Sequence, residues 1–571
     1  MTLTIILSFI IFSGIVALIT YFKTKGESLD TSDGYFLGGR SLTGGVIAGS
    51  LLLTNLSAVS FVGMAGQAYD ANMSVMGWEV GSGLTLIIVA LFLVPRYLKQ
   101  GITTIPDFIE ARFDGGTRKF ITILFLVSYV VNMLPITLYS GAVAMGQIFD
   151  VATVFGITYV QSIWLMVWVI GIIGAIYAIF GGLKAVAISD SINGLALVVC
   201  GLLVPIFGLF LLGDGSITAG FDVFLTSTPE KLNAIGSNQD PLPFSTIFTG
   251  LILVNLYYWG TDQSIIQRAL GAKTLAEGQK GVIFAGLLKV LTPIIVIIPG
   301  IMAFQLLGSD ITSMDTVYPQ FVSAVLPDPL VGFFAAAMMG AILSTFNSVL
   351  NSASTLFALN VYKPNIKPDA TEKDLIKVGK KFALILAIIS MFVAPFILNA
   401  PSGLFDYLQT INGFFNVPIF TIIFMGYMTK RVPAIAAKVA ITFFVSVYGV
   451  TQLFMDLPLH YLHVSAILFV ISCLIMYIIG KKVPMDHDFV LPENNAVPLE
   501  PWRHRFEMSG FVVFVMVSMY VIFSKVGLAR EAGLGLDTLL YIAVVAVICF
   551  VGSVMIKRKY DKPQVKTDSA R

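Results

Sequence analysis

The chain has 571 residues, is 57% hydrophobic and only 12% charged, and its 35 Lys and Arg nearly balance its 33 Asp and Glu. That composition excludes a soluble globular protein and describes a polytopic membrane protein. The lipid bilayer is its first expected partner, and no nucleic-acid partner is expected.

Segments of about 20 apolar residues recur from end to end. They predict fifteen spans: 3–22, 44–69, 74–97, 118–149, 156–180, 185–213, 244–268, 276–307, 330–362, 375–397, 402–430, 432–455, 460–480, 506–526 and 536–556. Lipid offers backbone amides no partner, so the spans are helices. A β-barrel would need alternating segments, and the run Leu84–Val94 does not alternate. The first span lacks a basic leader and a small-residue cleavage site, so it reads as a retained helix.

With the N-terminus on side one and loops numbered alternately, side one receives only Lys231, Lys525 and Arg530. Lys289 falls inside a span, and the other 31 basic residues lie on side two. Basic loops stay in the cytoplasm. The reading is therefore N-terminus outside, C-terminus inside.

Polar residues inside the spans mark the candidate pathway. In the second span Thr54, Asn55, Ser57 and Ser60 sit within seven residues. Secondary transporters bind cargo where two spans break at mid-membrane, one in each half of a repeat. The segment Asn255-Leu-Tyr-Tyr-Trp-Gly-Thr-Asp-Gln263 offers the second break. Each opens a block of five spans, 44–213 and 244–430. The flanks are then 1–43, a cap at 214–243, and peripheral helices with a tail at 431–571. Small-residue helix packing is the plain alternative for the first motif.

Glu79 lies inside the third span and Asp190 at the start of the sixth. Lys289 lies in the apolar run Gly281–Gly300, where an ammonium costs on the order of 3 kcal/mol unless it meets a wet cavity or a partner. Glu79 is a candidate partner for it, or both hydrogen-bond a polyhydroxyl solute. Asp190 serves a cation exit path or bonds local backbone. The span at 330–362 strings Ser344, Thr345, Asn347, Ser348, Asn351 and Ser352 along its length. Ser344 and Thr345 offer two neutral oxygens, and an unwound helix nearby adds carbonyls, a set that suits sodium. Such hydroxyls also commonly bond back to their own helix.

Other classes fall away. There is no P-loop, no potassium filter, no Arg-rich voltage sensor, no Gly-x-Ser-x-Gly turn and no paired intramembrane aspartates. The chain is not read as an enzyme. Cys200, Cys473 and Cys549 have no ligand-like spacing, and no carboxylate or cysteine completes a metal site at His460 and His463.

The strongest motif is Asn255-Leu-Tyr-Tyr-Trp-Gly-Thr-Asp-Gln-Ser-Ile-Ile-Gln-Arg268, continuing through Ala272-Lys273 to Gln279-Lys-Gly281. With Tyr35–Leu42, Ile105–Phe113 and Gly181–Val186, it resembles the sodium/solute symporter family, in particular the bacterial sodium/galactose and sodium/glucose cotransporters. The resemblance covers roughly residues 30–480. It implies a leucine-transporter-like core of two inverted five-helix repeats in a bacterial inner membrane. It implies Na⁺ at the carbonyls of Leu53, Leu56 and Ala341 and the hydroxyls of Ser344 and Thr345. The sugar-contacting set maps to Asn55, Glu79, Ser82, Asn255, Lys289 and Gln409. Hydrophobic closures map to Met64, Tyr258 and Phe405, and Asp190 maps to the sodium release path.

Three positions depart from sugar-transporting relatives. Val59 and Ser60 replace an acid–amide pair, and Trp78 replaces a tyrosine. The resulting expectation is a sodium symporter importing a monosaccharide or related polyhydroxyl solute. A sodium symporter for inositol, a sugar acid or an amino acid, a channel-like uniporter, and a non-transporting membrane sensor are the alternatives.

Overall fold

A computed structural model describes residues 2–24, 38–309, 311, 313–399, 403–455, 457–494, 497–530 and 533–560, and of 24, 38, 179–187, 403, 406 and 407 the backbone alone. The start of the Tyr35–Leu42 motif, the side chains of the Gly181–Val186 motif and the tail beyond Tyr560 lie outside that description.

Among the described residues the chain is helical without strands; one isolated bridge joins Leu42 to Ala272. The helices in chain order are α1 (Leu3–Lys23), α2a (Gly44–Asn55) and α2b (Ser60–Asp70), α3 (Met73–Gln100), α4 (Gly115–Ile148), α5 (Tyr159–Ala178) and α6 (Ile188–Leu212). Then come α7a (Gly250–Gly260) and α7b (Gln263–Leu270). They are followed by α8 (Leu275–Leu307), α9 (Asp328–Asn365), α10 (Glu372–Asn399), α11 (Leu408–Met428), α12 (Ala434–Leu453), α13 (Tyr461–Lys482), α14 (Arg505–Ile522) and α15 (Leu536–Tyr560). Thirteen are long and apolar enough to span a bilayer, and the bent α2 pair makes a fourteenth. The remaining expected span, 244–268, is the short pair α7a and α7b. The expected 402–430 span holds α11, whose course includes a turn at 413–415 between the helical stretches Gly403–Asn412 and Asn416–Met428.

The two breaks have local causes. α2a stops at Asn55 because Leu56 leaves helical geometry (φ −75°, ψ 74°), and the chain resumes at a 54° bend. The Asn55 carbonyl then accepts from Ser57 N at 2.8 Å and Ser60 Oγ at 3.1 Å. Small hydroxyl residues thus re-satisfy backbone that water cannot reach. The first turn of α2b is a π-helix, Ser60–Met64, a form common at functional sites. The second break falls at Thr261–Asp262, where both amides donate to the Tyr257 carbonyl. Asp262 caps α7b by accepting from Ser264 N at 2.8 Å. The Tyr129 and Tyr257 hydroxyls donate to the same carboxylate at 3.1 and 3.2 Å. A buried carboxylate with this many donors is a firm pivot.

Between α5 and α6 the backbone stays helical, yet Tyr177 Oη bonds Ser189 Oγ. A straight helix would separate residues twelve apart by about 18 Å, so the chain doubles back there. The 214–243 segment is not wholly polar loop: it contains the apolar helix Ile217–Ser227. From it Lys231 Nζ donates to the carbonyls of Tyr69 (2.9 Å), Asp70 (3.1 Å) and Ala71 (2.9 Å), capping the C-terminal end of α2b.

At the opposite end the Ile105–Phe113 motif forms a joint. Thr104 and Asp107 make a capping box, Asn360 donates to Asp107, and Ile105 N donates to Gln263 Oε1. Arg112 is fully buried and caps α11, donating to the carbonyls of Gly426 (2.9 Å), Thr429 (3.0 Å) and Val432 (3.1 Å). The C-terminal end of a helix favours that cation. Arg112→Ala should destabilise the protein by roughly 3 kcal/mol or more, because buried acceptors lose charged donors. Arg112→Lys keeps the charge without the planar fork and should recover only part of that loss. Thermal unfolding in detergent checks both.

Candidate functional site

The first helix break and α7a, the helix that leads into the second, line one cavity of about 120 Å³. One water needs roughly 10–15 Å³ by this measure, so the space suits a small cluster of waters or one small polar solute. Asn55, Ser57, Val59, Ser60 and Met64 line it from α2; Trp78, Glu79 and Ser82 from α3; Asn255 and Tyr258 from α7a. Thr345 of α9 and Phe405, Gln409, Asn412 and Asn416 from the two halves of 402–430 complete the wall.

Lys289 is fully buried and is not among the lining residues. It forms an ion pair with Glu79 and donates a hydrogen bond to Asn55 Oδ1. One cation therefore ties α8 to α3 and to the broken end of α2a. Helix geometry makes this junction favourable. Asn55 is the last residue of α2a, where carbonyls lack intrahelical donors and the dipole favours positive charge. Asn55 and Tyr258 line the same cavity. Ser82 Oγ donates to Asn255 Oδ1 at 3.2 Å, while Asn255 Nδ2 has no hydrogen-bond partner in the protein. That donor belongs to a cavity-lining side chain and is aimed at no protein acceptor.

Aromatic rings bound the space. Phe405 meets Trp78 edge-on, with centroids 5.7 Å apart. Phe405 also lies against Gly63: an added Cβ there would sit 3.0 Å from Phe405 Cβ, so any larger residue requires Phe405 to give by a few tenths of an ångström. Met64 and Tyr258 line the same cavity.

The candidate cation set forms where α2a crosses α9. Thr345 Oγ1 donates to the carbonyls of Thr54 (2.8 Å) and Ala341 (3.2 Å), and Thr54 Oγ1 lies 3.4 Å from Ser344 Oγ. Those hydroxyls retain lone pairs that a cation can use. Leu53 and Leu56 flank Thr54 at the helix end. Asp190 does not bond local backbone in the way its position at a helix start would allow. It accepts from Ser50 Oγ at 2.9 Å and pairs with Arg268 at 3.7 Å, while its second oxygen has no hydrogen-bond partner among the described residues. Arg268 in turn bonds Ser50 (2.7 Å) and Ser348. Sequence reasoning left Arg268 without a role, although a buried charge is the same signal that singled out Lys289. Thr137, Met133 and Ile136 of α4 and Asn412 and Asn416 were also missed, and nothing in their sequence context separates them from ordinary packing.

The histidines have other work. Both ring nitrogens of His463 meet hydroxyls, Ser245 at 3.1 Å and Thr249 at 2.9 Å, and His460 meets the Pro241 carbonyl at 3.2 Å. Among the described residues no group of three His, Cys, Asp or Glu converges, and the three cysteines are free.

Residues 35–442 match the family described as sodium:solute symporter family. The uncharacterized symporter YidK of Escherichia coli (strain K12) is 47% identical over 530 residues, 93% of this chain and 92% of that one. The sodium/glucose cotransporter of Vibrio parahaemolyticus is 32% identical over 464 residues, 76% of this chain and 83% of that one. Sodium/myo-inositol cotransporter 2 of Oryctolagus cuniculus is 28% identical, covering 75% and 66%. In fold the chain is similar to a Na⁺-coupled sialic acid symporter in a substrate-bound, outward-open state. That match has a TM-score of 0.69 at 21% identity and covers 84% of this chain and 97% of the other. That solved neighbour carries the leucine-transporter-like fold. The chain belongs to the sodium:solute symporter family: a multi-pass membrane transporter, not an enzyme, with Na⁺ as its coupling ion.

Proposed function

We propose that this symporter imports an uncharged monosaccharide or related polyhydroxyl solute with Na⁺ by alternating access, across a bacterial inner membrane. One observation carries the reading. The strongest charges at the cavity, Glu79 and Lys289, are paired with each other, while neutral amides and hydroxyls line the space. A sugar acid would have to draw Lys289 from Glu79 and leave a buried carboxylate alone, at a cost of several kcal/mol. The relatives named for glucose and for myo-inositol support a polyhydroxyl cargo. Val59 and Trp78, both lining the cavity, replace polar residues of sugar-transporting relatives and narrow which hydroxyl pattern fits.

In this reading 44–213 and 244–430 are inverted five-helix repeats, and 1–43, 214–243 and 431–571 are peripheral. The chain crosses fifteen times, N-terminus outside and C-terminus inside. Na⁺ binds to the Leu53, Leu56 and Ala341 carbonyls and the Ser344 and Thr345 hydroxyls, fastening α2a to α9. That orders Asn55, which with Glu79, Ser82, Asn255, Lys289 and Gln409 forms the solute site, directly or through the ion pair. Met64 and Phe405 close one side and Tyr258 the other, and Asp190 receives Na⁺ on its way out. Each Na⁺ entering down about 100 mV contributes roughly 2.3 kcal/mol before its concentration gradient is counted.

Ser344→Ala with Thr345→Val removes two oxygen ligands at about 1 kcal/mol or more each, so half-saturating Na⁺ should rise about tenfold or more. Labelled-monosaccharide uptake into sealed vesicles measures it. Unchanged sodium dependence would refute the assigned cage. Uphill uptake driven by a sodium gradient also separates a symporter from a uniporter or a sensor.

Lys289→Met should destabilise the protein by roughly 3–5 kcal/mol, because Glu79 is left buried and alone. Adding Glu79→Gln should restore most of the thermal stability but not solute binding. Restored binding in the double variant would make the pair a packing element only.

A further inference from the structure

The segment between α13 and α14 does not loop away from the protein. Its described residues, 483–494 and 497–504, form neither helix nor strand and lie along the ends of the spans. Val497 is buried, and Phe489, Leu491, Leu499 and Trp502 pack against the core. The two halves of this strap hold different partners. The first lies on the Arg112 joint. Met485 N donates to the Arg431 carbonyl at 2.9 Å, and Phe489 N to the Lys430 carbonyl at 3.0 Å. Asp488 pairs with Arg431 at 2.6 Å, and the Arg112 guanidinium stands over the Phe489 ring at 5.2 Å. The second half lies on α3 and α8. Asn494 N donates to the Lys99 carbonyl at 2.7 Å, Leu275 N to the Pro498 carbonyl at 3.0 Å, and Trp502 N to Gln279 Oε1 at 2.9 Å. Glu493 pairs with Lys99 at 2.7 Å.

Those partners belong to the two groups of helices that meet at the candidate cation set. Lys289 ties α8 to α3 and α2a. The Arg112 joint holds α11 and, through Asp107 and Asn360, α9. The strap therefore bridges at the helix ends the same division that Thr345 and Thr54 bridge at depth. Direct ties such as Tyr427 Oη to Gln100 Oε1, at 3.1 Å, run beside it. Between Phe489, held by one group, and Glu493, held by the other, the chain has four steps and reaches at most about 14 Å when fully extended. We infer that residues 483–504 are a tether that limits how far the two groups part at their cytoplasmic ends when Na⁺ leaves. The inference rests on the alternating-access reading above, and it adds a restraint outside the solute and cation sites.

The test lengthens the tether in the full chain with an insert of about ten Gly and Ser residues after Pro492, flexible at that length and placed between the two anchor sets. Spin labels at Lys273→Cys, before α8, and Lys363→Cys, at the end of α9, both exposed, report the separation once the three free cysteines are replaced by alanine. Pulsed dipolar spectroscopy in nanodiscs gives the distance in Na⁺ and again with K⁺ in its place. In K⁺ the insert should shift the distribution to longer distance and broaden it beyond that of the chain of native length. Phe489→Ala, which undocks the first half without lengthening the chain, should shift it in the same direction. Distributions in K⁺ that match the native chain for both variants would overturn the tether alone. A native-length chain whose distance ignores the exchange of Na⁺ for K⁺ would overturn the alternating-access reading and the tether with it.

Discussion

The arrangement rests on one sealed contact: the Lys289 ammonium held between the Glu79 carboxylate and the Asn55 amide. A lone cation at that depth would be costly, and a lone carboxylate equally so. Their pairing lets three helices meet at the point where α2 is broken. It also balances the charge of Glu79, whose other neighbours around the cavity are neutral. The break, the charge and the chemistry of the space are thus one feature seen from three sides.

Around that contact the rigid and the movable parts separate. The Arg112 joint and the Asp262 cap hold backbone ends with multiple charged bonds. Lys231 does the same for the far end of α2b. Beside the Arg268 bridge from Ser50 to Ser348, the direct contacts between α2a and α9, in contrast, are single hydroxyl contacts of Thr345, Thr54 and Ser344. Bonds of that kind contribute about 1 kcal/mol each. A cation bound there would change the balance of the whole crossing, and that sensitivity is what a coupled transporter needs.

Much of this was legible in the sequence, for physical reasons. Lipid forces helices, so apolar length predicted spans, and all but 244–268, which is the short pair α7a and α7b, recur with shifts of a few residues. Intramembrane charge demands a partner, and that rule named both Lys289 and Glu79. Polar clusters at 54–60 and 255–263 marked both interruptions because freed backbone needs nearby hydroxyls. The geometry of each break was not legible: the bend at Leu56 and the turn at Gly413–Phe415 depend on what packs against them. The partner of Asp190 was also hidden. Arg268 lies 78 positions away in sequence, and only folding brings α6 against α7b. The α4 wall, with Met133, Ile136 and Thr137, carries no polar signature that separates it from core.

The most direct test of the account is equilibrium binding to the purified protein. Neutral monosaccharides, inositols and sugar acids would be titrated in Na⁺ and again with K⁺ in its place. A neutral polyhydroxyl compound should bind in Na⁺ and lose most of its affinity in K⁺, and sugar acids should not bind. Tight binding of a sugar acid, or binding indifferent to the cation, would contradict the self-neutralised pair at the centre of the site.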